Sequence, residues 1–129
     1  MAGQKKGIRT IVVDDSPAAL RAISSVVARQ QNLSFVGAAS NGREALALAR
    51  SLRPDLVLLD LEMPVMDGIE ATSCLGRDCP EARVVIVTVH NTPELRKLCY
   101  RRGASGFIAK AALKDELPIV VLKLFGNGE

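Results

Sequence analysis

Five short apolar runs alternate with stretches of helical periodicity along the chain. Ile8 to Val13 reads as a first strand and Ser34 to Ala39 as a second. Leu56 to Leu59 is continuously apolar, as a central strand covered on both faces should be. Arg83 to Thr88 holds the unbroken run Val84 to Val87, and Gly106 to Ala109 is a short fifth strand. Between the runs, Ser16-Pro17 fits an N-cap followed by proline at the first helical position, and Leu20, Ile23 and Val27 give that helix an inward face. Asn41 and Glu44 fit a cap and its partner three residues later, opening a second helix with the stripe Ala45, Leu48 and Leu52. Pro54 stops it. Asp67-Gly68 breaks the chain before a third helix carrying Ile69, Thr72 and Leu75, with Gly76 weakening its last turn. Thr92-Pro93 repeats the cap-and-proline start ahead of Leu95, Leu98 and Cys99, and Gly103 is a C-terminal stop. A last helix is predicted from Asp115 to Phe125, with Pro118 tolerated in its first turn. Alternation of this kind predicts an α/β fold: a doubly wound parallel sheet with helices on both faces, joined by right-handed crossovers.

Composition narrows the picture. A length of 129 residues fits one domain, and 48 % hydrophobic residues are enough to fold it. Aromatics make up only 3 %, so the core must be aliphatic. The net charge of +3 is too mild to argue for nucleic acid. Cys74, Cys79 and Cys99 are odd in number and lack C-x-x-C spacing, so they read as reduced thiols of a cytoplasmic protein rather than a disulfide framework or zinc site. No apolar run approaches a membrane span, and the N-terminus does not read as a signal peptide. Met1 to Gly7 is expected to be a short frayed leader, with Lys5 and Lys6 on a solvated tail.

The polar residues that follow the apolar runs carry the chemistry. Asp14 and Asp15 follow the first strand, Asp60 the third, Thr88 ends the fourth and Lys110 follows the fifth. Taken alone, Asp60 reads equally well as a solvated strand end. Doubly wound sheets, however, bind ligands beyond the carboxyl ends of their strands. Three carboxylates, one hydroxyl and one ammonium would then share a crevice. Two like charges 4 Å apart repel by about 4 kcal/mol at an effective dielectric near 20. Lys110 alone cannot neutralise three carboxylates, and a hard divalent cation with oxygen ligands suits the remainder, Mg²⁺ being the natural candidate. The alternative is three separately solvated loop carboxylates. A carboxylate beside Mg²⁺, a lysine and a threonine is equipped for phosphoryl transfer. Asp60 would attack phosphorus to form an aspartyl phosphate. Lys110 and Mg²⁺ would neutralise the equatorial oxygens, and the Thr88 hydroxyl would donate to one of them.

Four segments in order carry a family resemblance: Val12-Val13-Asp14-Asp15-Ser16; Leu58-Leu59-Asp60-Leu61-Glu62-Met63-Pro64-Val65-Met66-Asp67-Gly68; Ile86-Val87-Thr88; and Gly106-Phe107-Ile108-Ala109-Lys110. From Ile8 to Phe125 the chain resembles the receiver domains of bacterial two-component response regulators. The resemblance implies a flavodoxin-like, CheY-like fold with strand order 2-1-3-4-5 and five helices. It implies that Asp60 is the phosphoacceptor, that Asp15 binds Mg²⁺ directly and Asp14 mainly through water, and that the backbone carbonyl of Glu62 completes the protein ligands. Thr88 would contact the phosphoryl group and move toward it, and Lys110 would pair with a phosphoryl oxygen. Phe107 has two readings, the family's switch aromatic and a plain core aromatic. Val89 and His90 would line the rim, and Glu62 and His90 match positions that tune the lifetime of the phosphoryl group. Ala111 stands where many receivers have proline in a cis peptide, so a trans bond is expected. Gly103 to Phe107 resembles receivers that carry a helix-turn-helix output.

The implied function is a phosphorylation-dependent switch, not an enzyme, with a histidine kinase or phosphotransfer protein as donor and transcriptional control as the expected role of a parent regulator. DNA would be met only through an output domain outside this chain. Arg96, Lys97, Arg101 and Arg102 make the fourth helix basic, which reads as a solvated face or a partner contact. Leu117, Ile119, Val120, Val121, Leu122, Leu124 and Phe125 leave the last helix little polar surface. Its outer side is expected to meet a second copy, through the face of the fourth helix, fifth strand and fifth helix, or a neighbouring domain. Residues 1–129 would form a single receiver, with 126–129 a tail or the start of a linker. A stand-alone receiver and a receiver-like module that is never phosphorylated are the alternatives. A haloacid-dehalogenase-type phosphatase is disfavoured because Asp14-Asp15-Ser16-Pro17 does not match Asp-x-Asp-x-Thr. A nucleotide-binding module is disfavoured because no glycine-rich loop follows the first strand.

Overall fold

The computed structural model describes residues 7–126. Its elements are β1 (Ile8–Val13), α1 (Pro17–Arg29), β2 (Leu33–Ala39), α2 (Gly42–Leu52), β3 (Leu56–Leu59), α3 (Gly68–Asp78), β4 (Arg83–Thr88), α4 (Pro93–Arg101), β5 (Gly106–Ala109), a 3-10 turn (Lys110–Ala112) and α5 (Leu113–Phe125). The strands form one sheet in the order β2-β1-β3-β4-β5. Every pairing is parallel, so the α/β doubly wound expectation holds. Most of the expected leader and tail, residues 1–6 and 127–129, lies outside the described residues.

Strand alternation divides the core into two layers. Ile11, Val13, Val57, Leu59, Val84, Ile86 and Phe107 pack toward α2, α3 and α4. Val12, Leu56, Leu58, Val85, Val87 and Ile108 pack toward α1 and α5. All four residues of β3 are buried, which is why its sequence shows no polar alternation. As the composition requires, both layers are almost wholly aliphatic, with Phe107 the one buried aromatic among the described residues.

Local chemistry fixes the helix starts. Ser16 Oγ accepts from Ala19 N, Asp67 Oδ1 from Glu70 N and Thr92 Oγ1 from Leu95 N, each satisfying a donor that the first turn leaves free. Asn41 Oδ1 accepts from Glu44 N, but the Glu44 carboxylate reaches back to Ser40, accepting from its backbone N–H and its hydroxyl. The expected capping box is therefore displaced by one residue at its acidic half. Gly103, at φ 111°, ends α4 as expected. Helix α5 departs from expectation. It starts at Leu113 rather than Asp115, directly after the 3-10 turn, so Pro118 lies beyond the first turn. The helix continues through it because the carbonyl left without a donor belongs to Lys114, an exposed residue that water can serve. No peptide bond among the described residues is cis, Lys110-Ala111 included.

The loop from β3 to α3 is drawn tight against the sheet. Val65 has φ 72°, and Met66 N donates to Pro64 O at 2.8 Å, which makes a strained γ-turn at an exposed tip. Gly68 N donates to Leu61 O at 2.9 Å, and Gly42 N to Met66 O at 3.1 Å. A Cβ on Gly68 would land on the Asp60 carbonyl oxygen, whereas one on Gly76 in α3 would meet nothing within 4 Å. Gly68→Ala should therefore destabilise the fold by about 1–3 kcal/mol or more through overpacking. Gly76→Ala should stabilise it by about 0.5–1 kcal/mol through helix propensity. Urea unfolding of the two variants checks both signs, and a neutral Gly68→Ala would overturn the packing argument.

Candidate phosphoryl site

The strand order places β1 between β2 and β3, so the chain reverses its winding direction at the carboxyl end of β1. Asp14 and Asp60 lie there side by side. Asp14 N donates to Ala39 O at 3.1 Å and Asp60 N to Val13 O at 3.0 Å, which extends the ladder by one step and points both carboxylates into the crevice. Asp14 Oδ1 accepts from Ser16 N at 2.9 Å, so the turn into α1 orients it. Lys110 enters from the end of β5 as the first residue of the 3-10 turn. Its Nζ lies 2.7 Å from Asp14 Oδ2 and 3.8 Å from Asp60 Oδ1. The contact with Asp14 is ionic but poorly aligned, and the buried Oδ2 has no hydrogen-bond donor. Asp14 and Asp60 are buried while Asp15 is exposed at the mouth.

Asp14, Asp15 and Asp60 each present an oxygen within 4.8 Å of the others. Three carboxylates thus face a single ammonium. Burial pushes Asp60 up to about 6, with Asp14 and, more weakly, Asp15 adding to the rise and Lys110 and the Leu61 N–H opposing it. Burial pulls Lys110 down, but the bond to Asp14 and the charges of Asp60, Asp14 and Asp15 outweigh it, so its net shift is upward. A hard divalent cation fits this donor set. It would supply the charge that Lys110 alone does not, and exposed Asp15 leaves room for water ligands.

A cavity of about 340 Å³ opens over the cluster, lined by Asp14, Asp15, Ser16, Asp60, Glu62, Met63, Val89 and Lys110. The structure thus brings together the predicted Asp14, Asp15, Asp60, Lys110, Glu62 and Val89. A larger cleft of about 820 Å³ shares Glu62 and Met63 as its wall and continues between the β3–α3 loop and α4. Its floor is apolar, so the chemistry belongs to the smaller cavity. Thr88 is fully buried and does not line the small cavity; its Oγ1 accepts from His90 N at 3.2 Å, behind Val89. His90 Nε2 lies 3.0 Å from Glu62 Oε2, a polar contact across the rim that the sequence does not announce. The signal lay in the register. Leu59 pairs with Ile86, and extending that register puts Glu62 opposite Val89, one residue short of His90. Phe107 is 3 % exposed, with the Arg96 guanidinium 4.8 Å above its ring.

A five-stranded parallel sheet with an acidic triad and a lysine at its switch point is the arrangement of a CheY-like receiver domain. The chain belongs to the response regulator receiver domain family, whose pattern it matches over residues 10–121. The response regulator GacA of Pseudomonas aeruginosa is 36% identical over 120 residues, which cover 93% of this chain and 56% of GacA. The chain spans about half the length of the curated relatives it matches. A two-component response regulator of the LuxR family from Aurantimonas sp. SI85-9A1 superposes with TM-score 0.85 at 29% identity, covering 96% of this chain and 88% of the other. CheY in the CheX-CheY-BeF3-Mg complex of Borrelia burgdorferi superposes with TM-score 0.85 at 27% identity, covering 92% and 89%. No helix among the described residues is long and apolar enough to cross a membrane.

The Asp60 environment fixes a pH dependence in metal-free solution. An acid whose pKa is about 6 folded and about 3.9 unfolded binds its proton more tightly in the native state. Its stabilising contribution is present below pH 4 and is lost as the pH rises through 6. Asp60→Asn should therefore be more stable than the parent at pH 7.5 by roughly 1–2 kcal/mol, with the gap closing toward pH 4. Urea unfolding in chelator across this range checks it, and a gap that does not depend on pH would contradict it.

Proposed function

We propose that this chain is a phosphoacceptor switch in which Asp60 takes a phosphoryl group from a phosphohistidine of a histidine kinase or phosphotransfer protein. The observation that carries the reading is the convergence of Asp14, Asp15 and Asp60 within 4.8 Å, with Lys110 beside them. An Asp60 oxygen attacks phosphorus, the P–N bond breaks, and the imidazole leaves with the partner. Lys110, already 3.8 Å from Asp60, meets the charge on the transferred group as a point charge. The Thr88 hydroxyl, one strand away, turns from the His90 turn toward a phosphoryl oxygen. Asp15, Asp14, Asp60 and the Glu62 carbonyl would hold Mg²⁺, which when bound keeps Asp60 ionised and neutralises the phosphoryl oxygens. The Borrelia CheY complex, solved with BeF3 and Mg²⁺, supports this choice of ion.

The output follows from the same face. Movement of Thr88 is relayed through Phe107 to α4, β5 and α5, a two-state element biased by a local charge event. Tyr100 and Ile119 are 44 % and 55 % exposed on that face, a reason to assign it to a second copy on phosphorylation. LnrK of Bacillus subtilis, a relative named as a transcriptional regulatory protein, favours transcriptional control by a parent regulator, with DNA bound by its output domain and not by this chain. The cytoplasm is the compartment that fits these partners.

Intact mass after incubation with acetyl phosphate and Mg²⁺ tests the reading. The parent should gain one phosphoryl mass, Asp60→Asn none, and chelator should abolish the gain. No gain from a phosphorylated histidine kinase either would overturn it. Val89 is 68 % exposed at the cavity mouth, and its branched side chain narrows the approach. Val89→Ala should speed labelling by acetyl phosphate several-fold, and equal rates would refute that role.

A further inference from the structure

We infer that Arg96 is a positioning residue for Phe107, and that its contact holds the domain in the arrangement in which Thr88 is disengaged from the acidic cavity. The inference rests on the phosphoacceptor reading of Asp60. Arg96 stands on the first turns of α4, and its guanidinium does two things at once. It covers the ring of Phe107 at 4.8 Å from the centroid, and its Nη2 donates to Asn91 Oδ1 at 3.3 Å. The first contact ties α4 to β5, and the second ties α4 to the loop that leaves β4.

That loop begins at Thr88, whose Oγ1 accepts from His90 N at 3.2 Å. A short line of contacts therefore runs from Thr88 through the loop to Asn91, Arg96 and Phe107. The sheet closes the circle. Ile86 pairs with Phe107 and Thr88 with Ala109, so Thr88 and Phe107 are diagonal neighbours on the face turned toward α4. Displacement of Thr88 toward Asp60 must break or carry along the His90 turn. Displacement of the Phe107 ring must break or carry along Arg96. The two events share one loop and one guanidinium.

The chemistry of arginine suits this role. A guanidinium is weakly hydrated and planar, so it stacks on an aromatic face with little desolvation penalty, and it keeps edge donors for Asn91. Arg96 is half-buried, where such a contact is stronger than on an open surface. Because Thr88 here turns its hydroxyl to His90 and lies outside the cavity lining, the contact supports the disengaged arrangement. A contact made in one arrangement and lost in the other shifts their balance, and linkage transmits the shift to ligand affinity at the acidic site.

The experiment uses the parent, Arg96→Met and Arg96→Lys, each carrying 4-fluorophenylalanine, with beryllofluoride and Mg²⁺ as the phosphoryl analogue. The three phenylalanines give separate fluorine signals, and Phe107→Leu identifies that of Phe107. Before the analogue is added, Arg96→Met should shift the Phe107 signal and leave those of Phe35 and Phe125 in place. Beryllofluoride should bind Arg96→Met about two- to tenfold more tightly than the parent, with Arg96→Lys between the two. A merely structural role for Arg96 would move the melting temperature without tightening analogue binding. An unmoved Phe107 signal, or unchanged or weaker affinity, overturns the inference. A parent that binds no beryllofluoride overturns the reading of Asp60 and the coupling with it. The Phe107 signal then still distinguishes that failure from a failure of the Arg96 contact.

Discussion

Two carboxylates buried against each other at the reversal point of a parallel sheet are the constraint around which the remaining geometry is arranged. Asp14 and Asp60 are held there by backbone bonds to Ala39 and Val13, which continue the ladder beyond the last apolar residues. Among the described residues Lys110 is the one ammonium within reach, and it leans toward Asp14. Like charges in a half-dry crevice repel by several kcal/mol, so the sheet, the tight β3–α3 loop and the 3-10 turn must together over-determine the site. Gly68 shows how closely: its amide bonds Leu61, and its missing Cβ leaves room for the Asp60 carbonyl. The raised pKa of Asp60 is the thermodynamic trace of this arrangement, a local instability that a cation or a phosphoryl group relieves.

The parts of this architecture written in local chemistry were legible in the sequence. Caps at Ser16, Asn41 and Thr92 involve side chains within four residues of the turn they close, so residue type and spacing suffice. Asp14, Asp15, Asp60 and Lys110 could be placed together because in a doubly wound sheet the residues after the strands converge whatever the helices do. What escaped the reading depends on neighbours far apart in the chain or on packing. The Glu62–His90 pair needs β3 and β4 to be adjacent and in a particular register. The burial of Thr88 behind Val89 depends on how the β4–α4 loop folds over the strand end. Helix α5 starts at Leu113, two residues ahead of Asp115, because the 3-10 turn after Lys110 leads directly into it.

Helix α4 is the least embedded of the helices on its face, with Cys99 its one buried residue and an apolar cleft of about 820 Å³ along its flank. Its attachments are few and specific, a capping threonine, a guanidinium over a ring, Cys99 and two leucines. An element held in this way has a small number of alternative seats rather than a continuum of them. The helix most easily moved is therefore also the one closest to both the loop from Thr88 and the ring of Phe107.

The chain has no tryptophan and a single tyrosine, Tyr100, which stands 44 % exposed on α4 beside Arg96 and the β5–α5 face. All tyrosine emission from this protein thus originates at one ring on α4, near a guanidinium. The rest of the molecule adds only the weak absorption of three phenylalanines. Without any label, the domain carries its own optical reporter on α4.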